Sequence, residues 1–537
     1  MKEFVSYSDF GAIGDGKTND FFAILAAHKY ANEHNLPVKA EAGKTYLITS
    51  IVGENGKPQT VTIKTDTDWC GANFLIDDSF ITLDNYEAER GNIFTITSDT
   101  PSFSVTEDEL IALLPERKLT KSTTQLDLKL GYPALLRVQD ANSKVFIRYG
   151  QNANNGTSKT EIIKVDADGN IDPSTGFLFE YDNLTGITVF RCDTKPISVG
   201  NGNFTTKASH TNIGDIKLIY LSRNIHCSRS NTTLYNINHS IINERPEELD
   251  ENGKRFRGFS YSGFYGIGNC DEVVVRDCLV QSHVYYNDMG TYEFSINSTN
   301  HTVLKNCIQT NFFEEGYGYP MVKTWGSTGS NFCKNLVYDG CRLSRYDAHS
   351  GVYNGKIINS DVCIVALIGG GDFLMENSTV YAKMQYPVTL RYDYGGTFNG
   401  NLTLRNVKVI DARRNAGLDE EKKTEYMIYT TAINHNFGYV TYFPNVIIDN
   451  VYLDNPAETV KLVNESWHLS PTTDPTKRDT NWRWANHPNI HIPSEDNKNP
   501  YTPPEFIKVI NNDNGYKFVV NDCDMFQNVK LEGTELG

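Results

Sequence analysis

The alternation of apolar and polar residues predicts one long helix near the N-terminus and short β-strands over most of the remaining chain. In residues 21 to 35, FFAILAAHKYANEHN, helical spacing connects Phe21, Ile24, Leu25, His28 and Ala31. Thr18 or Asn19 precedes this segment and is the predicted N-cap.

A second pattern of alternating apolar and polar residues, followed by Asn, Asp, Gly or Ser and then a small or apolar residue, occurs nine times. Its final residues are Ile237, Cys278, Cys307, Cys341, Asp361, Ser378, Val407, Val451 and Cys523. The shortest intervals, of 20 and 17 residues on either side of Asp361, approximate one coil of a parallel β-helix. Longer intervals indicate coils with loops or runs of coils without a visible signature. Such repeats bury a continuous core only together, with the small residues stacked inside it.

The pattern lapses between about 100 and 210, which predicts an insertion. DELIALLPERK predicts a short helix, and ALLRVQ, KVFIRYG, TEIIKVDADGNI, GFLFEYD and ITVFRC predict strands between turn clusters. The predicted units are therefore an N-terminal cap with the first coils, an antiparallel β domain, a central β-helix and C-terminal coils with long loops: 1–100, 101–210, 211–410 and 411–537. DADGNID has carboxylates at EF-hand-like spacing, but without flanking helices it predicts a hairpin turn.

Composition excludes several classes of function. A net charge of −16 argues against sequence-independent binding to nucleic acid or anionic membranes. No apolar run approaches 18 residues, and MKEFVSYSDF has no apolar core, so neither membrane insertion nor a signal peptide is expected. The ten cysteines form no C-x-x-C pair and no zinc-spaced cluster, which predicts free, mostly buried thiols, no metal and no cofactor.

GAIGDGKT, residues 11 to 18, fits the phosphate-binding pattern G-x-x-x-x-G-K-[ST]. The preceding FVSYSDF is a weak strand, however, and Asp15 would repel a triphosphate. The remaining chain also does not alternate strands with helices, as a nucleotide-binding sheet would. The glycines are therefore interpreted as a tight turn that leads into the capped helix.

The same stretch carries a family resemblance. DFGAIGDGKTND, residues 9 to 20, and the Ala-rich helix after it resemble the N-terminal signature of the pectate-lyase-like right-handed β-helix superfamily, with Asn19 where the family usually has Asp. The resemblance implies an all-β, right-handed parallel β-helix whose open end is capped by the helix. The inserted strands also look similar to insertions in tail appendage proteins of phages that infect Gram-positive bacteria.

In a β-helix, residues at equal offsets from the repeated signature lie above one another, about 4.8 Å apart. Six to ten positions beyond each signature lie Tyr286 and Asp288, then Glu314 and Glu315, then Asp347 and His349, then Gly369 to Gly371, and finally Tyr386. This pattern predicts a groove for an extended polymer, with acidic residues, tyrosines and a glycine gap.

SRYDAHSGVYN, residues 344 to 354, is the most specific local motif. Asp347 and His349 share one face of a strand, where a carboxylate can fix the tautomer of an imidazole and prepare a general base. The D-x-H arrangement resembles the catalytic segment of β-helix uronate epimerases and lyases, in which Tyr and His exchange protons at the sugar C5. Tyr346 directly precedes Asp347, whereas the tyrosine of the family lies further upstream. Tyr353 is the other candidate for the role of that tyrosine.

Other candidates are expected to bind the substrate. Arg345, Lys323 or Arg391 could neutralise a substrate carboxylate or phosphate, and Trp325, Tyr286 and Tyr386 complete the predicted binding set. A structural interpretation stays open: Asp347 and His349 could cap a turn, and Asp288, Glu314 and Glu315 could form a solvated loop face. The same acids could also be a glycosidase pair. The polygalacturonase pattern is absent.

Together these features predict a phage tail appendage or tailspike that binds, and degrades, a teichoic acid or capsular polysaccharide. By analogy it would be a homotrimer that contacts other phage tail proteins and the host glycopolymer, made in the host cytoplasm and located in the virion tail. Two alternatives stay open: a non-catalytic receptor-binding adhesin or structural tail protein, and a secreted bacterial polysaccharide lyase, hydrolase or epimerase.

Overall fold

Parallel strands wound into a β-helix make up most of the described structure. The computed structural model describes residues 3–146, 148, 156–209, 220–243, 259–286, 289–290, 292–310, 328–382, 386–391, 394–412, 423–430, 441–464, 501–522 and 526–537. Its main sheet has 31 strands, and every described pairing within it is parallel. The predicted all-β parallel β-helix is therefore confirmed.

The pairings form three columns, which we call the first, second and third faces. The first face contains Val5–Ser6, Val38–Lys39, Thr67–Asp68, Asp271–Arg276, Asn300–Lys305, Val337–Asp339, Lys356–Ile358, Asn445–Leu453, Phe506–Ile510 and Lys530–Glu532. The second contains Asp15–Asn19, Thr45–Ile48, Asn73–Asp77, Leu279–Val280, Ile308–Gln309 and Asp361–Val362. Five longer strands turn from the first face into the second: Ile197–Lys207, Thr232–Ile242, Gly369–Ala382, Phe398–Asp411 and, through its last residues, Asn445–Leu453.

The third face carries the site described below. Its strands are Val61–Ile63, Phe94–Thr97, Ile225–Ser228, Tyr265–Gly268, Phe294–Asn297, Thr328–Lys334, Arg345–Tyr353, Ile364–Leu367, Val388–Leu390, Thr424–Tyr429, Pro456–Val463, Lys517–Val520 and Glu535–Leu536. Three small pairs lie outside the columns: Tyr220–Leu221 with Ser260–Tyr261, Val284–Tyr286 with Met289–Gly290, and Thr441–Tyr442 with Tyr501–Thr502.

The polar position of the repeated pattern is a left-handed turn between the first and second faces. The turn residues have φ from 45° to 66° and are Asn236, Asp277, Asn306, Gly340, Asn359, Asn377, Asn406, Asn450 and Asn511. Asn, Asp and Gly adopt this conformation at lower cost than other residues. Asn406 Nδ2 donates to Asn377 Oδ1 at 3.0 Å, and Asn450 Nδ2 donates to Asn406 Oδ1 at 2.8 Å. The side chains thus form a ladder along the axis.

Successive turns lie on successive coils, so the long intervals are single coils with loops. The ninth pattern was assigned to the wrong face, because its apolar residues belong to Lys517–Val520 on the third face, and Cys523 itself lies outside the described residues. The turn residue that follows Phe506–Ile510 on the first face is Asn511. Asp361 was also wrongly assigned as the interior residue of its repeat, because the buried residue of that coil is Ser360, one position earlier. The small residues stack in the interior as predicted: Cys278, Cys307, Cys341, Ser360, Ser378, Val407 and Val451. All nine described cysteines are free thiols.

A helix, Phe21–His34, covers the first coil and buries Phe21, Ile24, Ala27, His28 and Ala31. The predicted N-caps, Thr18 and Asn19, are wrong, because the chain stays extended through Asp15–Asn19 beside Thr45–Ile48 and the N-cap is Asp20. The Asp20 carboxylate accepts hydrogen bonds from the amides of Ile13 at 2.7 Å and Gly14 at 3.1 Å. These amides of the glycine loop are therefore hydrogen-bonded within the protein.

The insertion is a four-stranded antiparallel sheet of Phe103–Ser104, Ala134–Val145, Thr157–Val165 and Gly186–Arg191, with the predicted short helix at Glu107–Leu113. It ends earlier than 210, because Ile197–Lys207 belongs to the β-helix. GFLFEYD is not a strand. The amides of Leu178 and Phe179 donate to the Glu161 carboxylate at 3.0 and 3.1 Å instead of to a neighbouring strand.

Three further helical segments are short: the four-residue helix Tyr86–Glu89 and the 3₁₀ turns Ser8–Phe10 and Pro173–Thr175. Within the described ranges, no helix has the length and apolarity needed to cross a bilayer.

The turn ladder gives a test of the fold. Asn406→Ala removes two ladder hydrogen bonds and leaves, at a φ of 50°, a residue whose side chain cannot form the local hydrogen bonds that make this conformation tolerable for Asn. We expect a loss of about 2–3 kcal/mol in the free energy of unfolding, measured by urea denaturation. Asn406→Gly keeps the turn and should lose only about 1 kcal/mol. Equal stability of the alanine variant and the parent would contradict the assigned role.

Candidate functional site

The strand Arg345–Tyr353 on the third face separates its side chains between the interior and the outer surface. Tyr346 and Ala348 point into the core and are fully buried. Asp347 and His349 therefore lie on the outer side, as the D-x-H spacing predicts. Tyr346 was wrongly assigned to substrate binding, because its ring packs at 5.0 Å from Tyr338 and 5.4 Å from Phe373 inside the β-helix.

Asp347 is buried under a ring of hydrogen-bond donors on the outer side. Its Oδ1 accepts from Arg391 Nη1 at 2.6 Å, and its Oδ2 contacts Arg345 Nη2 at 2.8 Å and accepts from Tyr292 OH at 2.6 Å. Burial alone would raise the pKa of Asp347, but the charges of Arg345 and Arg391 outweigh it and hold that pKa below its usual range. The carboxylate stays ionised and orients both guanidinium groups.

Tyr292 is held in the protonated form by the same contact. Burial and the negative charge of Asp347 raise the pKa of the Tyr292 phenol well above its usual range. The phenol therefore donates to the carboxylate at any physiological pH. Arg345 also lies 5.9 Å from the centre of the Tyr292 ring, so the aromatic ring and the carboxylate together fix the Arg345 side chain.

His349 is partly exposed and lies beside a second arginine. Its Nε2 is 3.3 Å from Arg148 Nη1 and 3.3 Å from Tyr394 OH. A guanidinium group can only donate, so Nε2 accepts and the neutral ring carries its proton on Nδ1. Tyr394 is almost fully buried, with its ring centre 5.1 Å from Arg391 and 5.5 Å from Arg148. It therefore positions His349 rather than facing solvent.

The described side chains of this cluster carry three positive charges, on Arg148, Arg345 and Arg391, and one negative charge, on Asp347. Arg148 comes from the insertion and the other three come from the β-helix. Guanidinium groups can bind a carboxylate or phosphate group through paired N–H donors. We refer to these four residues with His349 as the arginine site.

The insertion docks along the border between the third and first faces. Lys334 Nζ, fully buried, contacts Glu161 Oε2 at 2.8 Å and donates to the carbonyl oxygens of Thr175 and Gly176, each at 2.9 Å. Lys164 Nζ lies 2.6 Å from Asp271 Oδ2 on another coil. These buried contacts fix the insertion beside the third face, which brings Arg148 to His349.

A cleft of about 480 Å³ lies between the insertion and the β-helix, next to the arginine site. Its walls include Lys121, Phe146 and Phe179 from the insertion and Tyr353, Gly370 and Tyr442 from the β-helix. The predicted glycine gap thus borders a cleft. Its glycines are also required by the backbone, since a Cβ on Gly370 would approach Asn399 O to 2.4 Å.

The other predicted site residues are distributed as follows. Tyr353 lines the cleft. Tyr386 stacks on Tyr429 at 4.8 Å and on Tyr426 at 5.7 Å. Tyr429 is in register with Asp347 through Ala366 and Thr389, three coils away, or about 14 Å along the axis. Outside the described residues lie Asp288, Glu314, Glu315, Lys323 and Trp325, and the side chain of Tyr286 is not described either.

Sequence reasoning missed three residues of the site. Arg148 lies in the insertion, which has no coil register. Tyr292 is 14 positions beyond Cys278, outside the offset window, and Tyr394 follows Arg391 by three positions in RYDYGG. Among the described residues, no three His, Cys, Asp or Glu side chains are placed to hold a metal ion.

Comparisons with known proteins concern the fold. No protein-family model matches the chain, and no curated protein matches it. Solved structures with similar folds include the Gp54 tailspike of Acinetobacter baumannii bacteriophage AP22, in complex with A. baumannii capsular saccharide (12% identity, 98% of this chain, 79% of that chain, TM-score 0.41). Others are the A-module of the Azotobacter vinelandii mannuronan C-5 epimerase AlgE4 (10%, 99%, 96%, 0.37) and the Streptococcus pneumoniae surface adhesin PfbA (12%, 86%, 92%, 0.27).

The strand pairings define the class of protein. A continuous parallel sheet wound in three faces, with an N-terminal helix over its first coil, is the architecture of a capped parallel β-helix. The chain has that fold.

Asp347 gives a test of the electrostatics of the site. Asp347→Asn leaves two poorly exposed guanidinium groups without their carboxylate, so we expect a loss of about 3–5 kcal/mol in the free energy of unfolding at pH 7. Because folding lowers the pKa of Asp347, its contribution is present above the unfolded pKa, near 3.9, and is lost as the pH falls further.

The measurement is urea denaturation of parent and variant between pH 7 and pH 3. The stability difference should be constant above about pH 5 and shrink below about pH 4. Asp99→Asn is the control, because Asp99 is mostly exposed and pairs only with Lys64 among the described contacts, so less than about 1 kcal/mol is expected. A pH-independent difference for Asp347→Asn would refute the assigned ionisation.

Proposed function

We propose that this protein is a phage tail appendage that binds an anionic bacterial surface polymer, a capsular polysaccharide or a teichoic acid, along the third face of its β-helix. The observation that carries the proposal is the arginine site, in which Asp347 orients Arg345 and Arg391 while the insertion adds Arg148. Such donors recognise the carboxylate of a uronate or the phosphate of a teichoic acid. The tail assignment follows from the sequence resemblance of the insertion, and a homotrimer is proposed on the same analogy.

We further propose that His349 acts on a uronate-containing polymer. The Asp347 carboxylate is ionised and engaged by three donors, so it cannot act as the acid of a glycosidase pair. A hydrolase would need Asp288, Glu314 or Glu315, which lie outside the described residues. The described groups fit proton abstraction, because Nε2 of neutral His349 is a basic nitrogen and its hydrogen-bond donor Arg148 can turn to the substrate carboxylate. Arg148 then stabilises charge on that carboxylate and leaves Nε2 to accept the proton.

In this mechanism, His349 takes the proton from C5 of the uronate, next to the carboxylate. The carboxylate takes up the developing negative charge and is stabilised by the guanidinium groups. A double bond then forms between C4 and C5 as the bond from C4 to the glycosidic oxygen breaks, and His349 returns its proton to the leaving oxygen. A phosphate-linked teichoic acid has no such proton and would only be bound.

The test uses purified capsular polysaccharides, polygalacturonate and wall teichoic acid. Chain length is followed on gels, and unsaturated uronate by its absorbance. We expect shortening with new absorbance, lost in His349→Gln, which still binds the polymer. Arg148→Ala should weaken binding about tenfold or more, since a hydrogen bond to a charged group contributes about 1.5–3 kcal/mol.

Matched controls are His34→Gln, on the exposed surface of the N-terminal helix, and Arg276→Ala, on the first face. Binding without shortening, unchanged in His349→Gln, would identify a non-catalytic adhesin. Shortening of the polymer without new absorbance would indicate hydrolysis, with Glu314 and Glu315 as the candidate catalytic acids. If Arg148→Ala and Arg276→Ala bind equally well, the arginine site is not where the polymer binds.

A further inference from the structure

The cleft beside the arginine site differs from it in charge and in surface chemistry. Its lining contains two lysines, Lys121 and Lys159, and two acidic residues, Glu180 and Asp182, which balance each other. The lining also contains four aromatic residues, Phe146, Phe179, Tyr353 and Tyr442, of which Phe146 and Tyr353 are almost completely buried. A charge-balanced aromatic cleft favours an uncharged ligand with an apolar face and polar edges.

Phe146 connects the cleft with the arginine site. It lines the cleft, and Arg148 follows two residues later. Its ring lies over the strand that carries His349, because a Cβ on Gly351 would be 3.2 Å from the ring. Tyr353 is four residues beyond His349 on this strand, roughly 13 Å away. The two sites are therefore neighbours on one surface.

The backbone of Phe146 supports a role in binding. Its φ is 54°, a left-handed conformation that is rare for a bulky residue and costs about 1–2 kcal/mol. Such strain persists where the surrounding structure imposes it, and it concentrates at ligand sites. Here it turns the aromatic ring onto the β-helix while the chain continues to Arg148.

We propose that the cleft binds a neutral sugar unit of the same polymer whose anionic unit occupies the arginine site. The pyranose ring stacks on Phe179 or Tyr442, the more exposed of the aromatic residues, and its hydroxyl groups reach the exposed side chain of Asn399. The substrate is therefore a heteropolymer that contains both anionic and neutral sugars. This inference rests on the proposed function, since it assumes that a glycopolymer is bound.

The experiment measures binding of three kinds of oligosaccharide by calorimetry. Hyaluronan oligosaccharides alternate anionic and neutral sugars, oligogalacturonate is anionic throughout, and N-acetylated chitotetraose and cellotetraose are neutral. We expect hyaluronan to bind about tenfold more tightly than oligogalacturonate of equal length. At least one neutral tetramer should bind, and Arg276→Ala, on the first face, should not change that binding.

Asn399→Trp fills the cleft from an exposed position and should weaken binding of the neutral tetramer about tenfold or more. Phe179→Leu removes an aromatic wall while keeping an apolar side chain and should act in the same direction. Lys408→Trp is the matched control, because Lys408 is exposed on the same strand but on the second face.

The outcomes separate this inference from the proposed function. If oligogalacturonate binds and Arg148→Ala weakens it, but no neutral tetramer binds, only the cleft inference is wrong. Equal tetramer binding by the parent, Asn399→Trp and Phe179→Leu also overturns it. If no oligosaccharide of any kind binds, both proposals fall.

Discussion

The parallel backbone pairing between coils is the constraint on which the rest of this structure depends. Each strand bonds to its equivalent one coil earlier and one coil later, so a side chain is always stacked on residues of equal offset. The left-handed turn fixes that register, because only a few residue types accept its φ. Asn406 shows both effects: its backbone makes the turn, and its amide bonds to Asn377 and Asn450.

This constraint explains why much of the fold was predictable. The turn residues and the small residues after them form a visible repeat, and the cap helix has a strong apolar periodicity. The prediction was wrong where tertiary contacts replaced local preference. Asp20 became the N-cap because Asp15–Asn19 joined the sheet, and residues 176 to 182 stayed irregular because Glu161 binds their amides.

The site was less predictable, because its members do not share one register. Asp347 and His349 are on one strand and were found from their spacing. Arg148 reaches them from an insertion whose position is decided by buried contacts such as Lys334 with Glu161. No periodic signal in the sequence reports such a contact. Tyr346 was misassigned for a simpler reason. Adjacent residues of a strand point to opposite sides, so Tyr346 points into the core when Asp347, the next residue, points outward.

The docked insertion changes the shape and the charge of the surface along the third face. A β-helix face alone presents a flat sheet, and flat sheets offer few enclosed contacts to a ligand. The insertion adds a wall, and the same segment supplies Arg148 to the arginine site and Phe146 to the cleft. Two neighbouring sites of different charge are thus built by one docked domain. If the proposed function holds, the insertion can change which polymer is bound while the coils and their turn ladder stay the same.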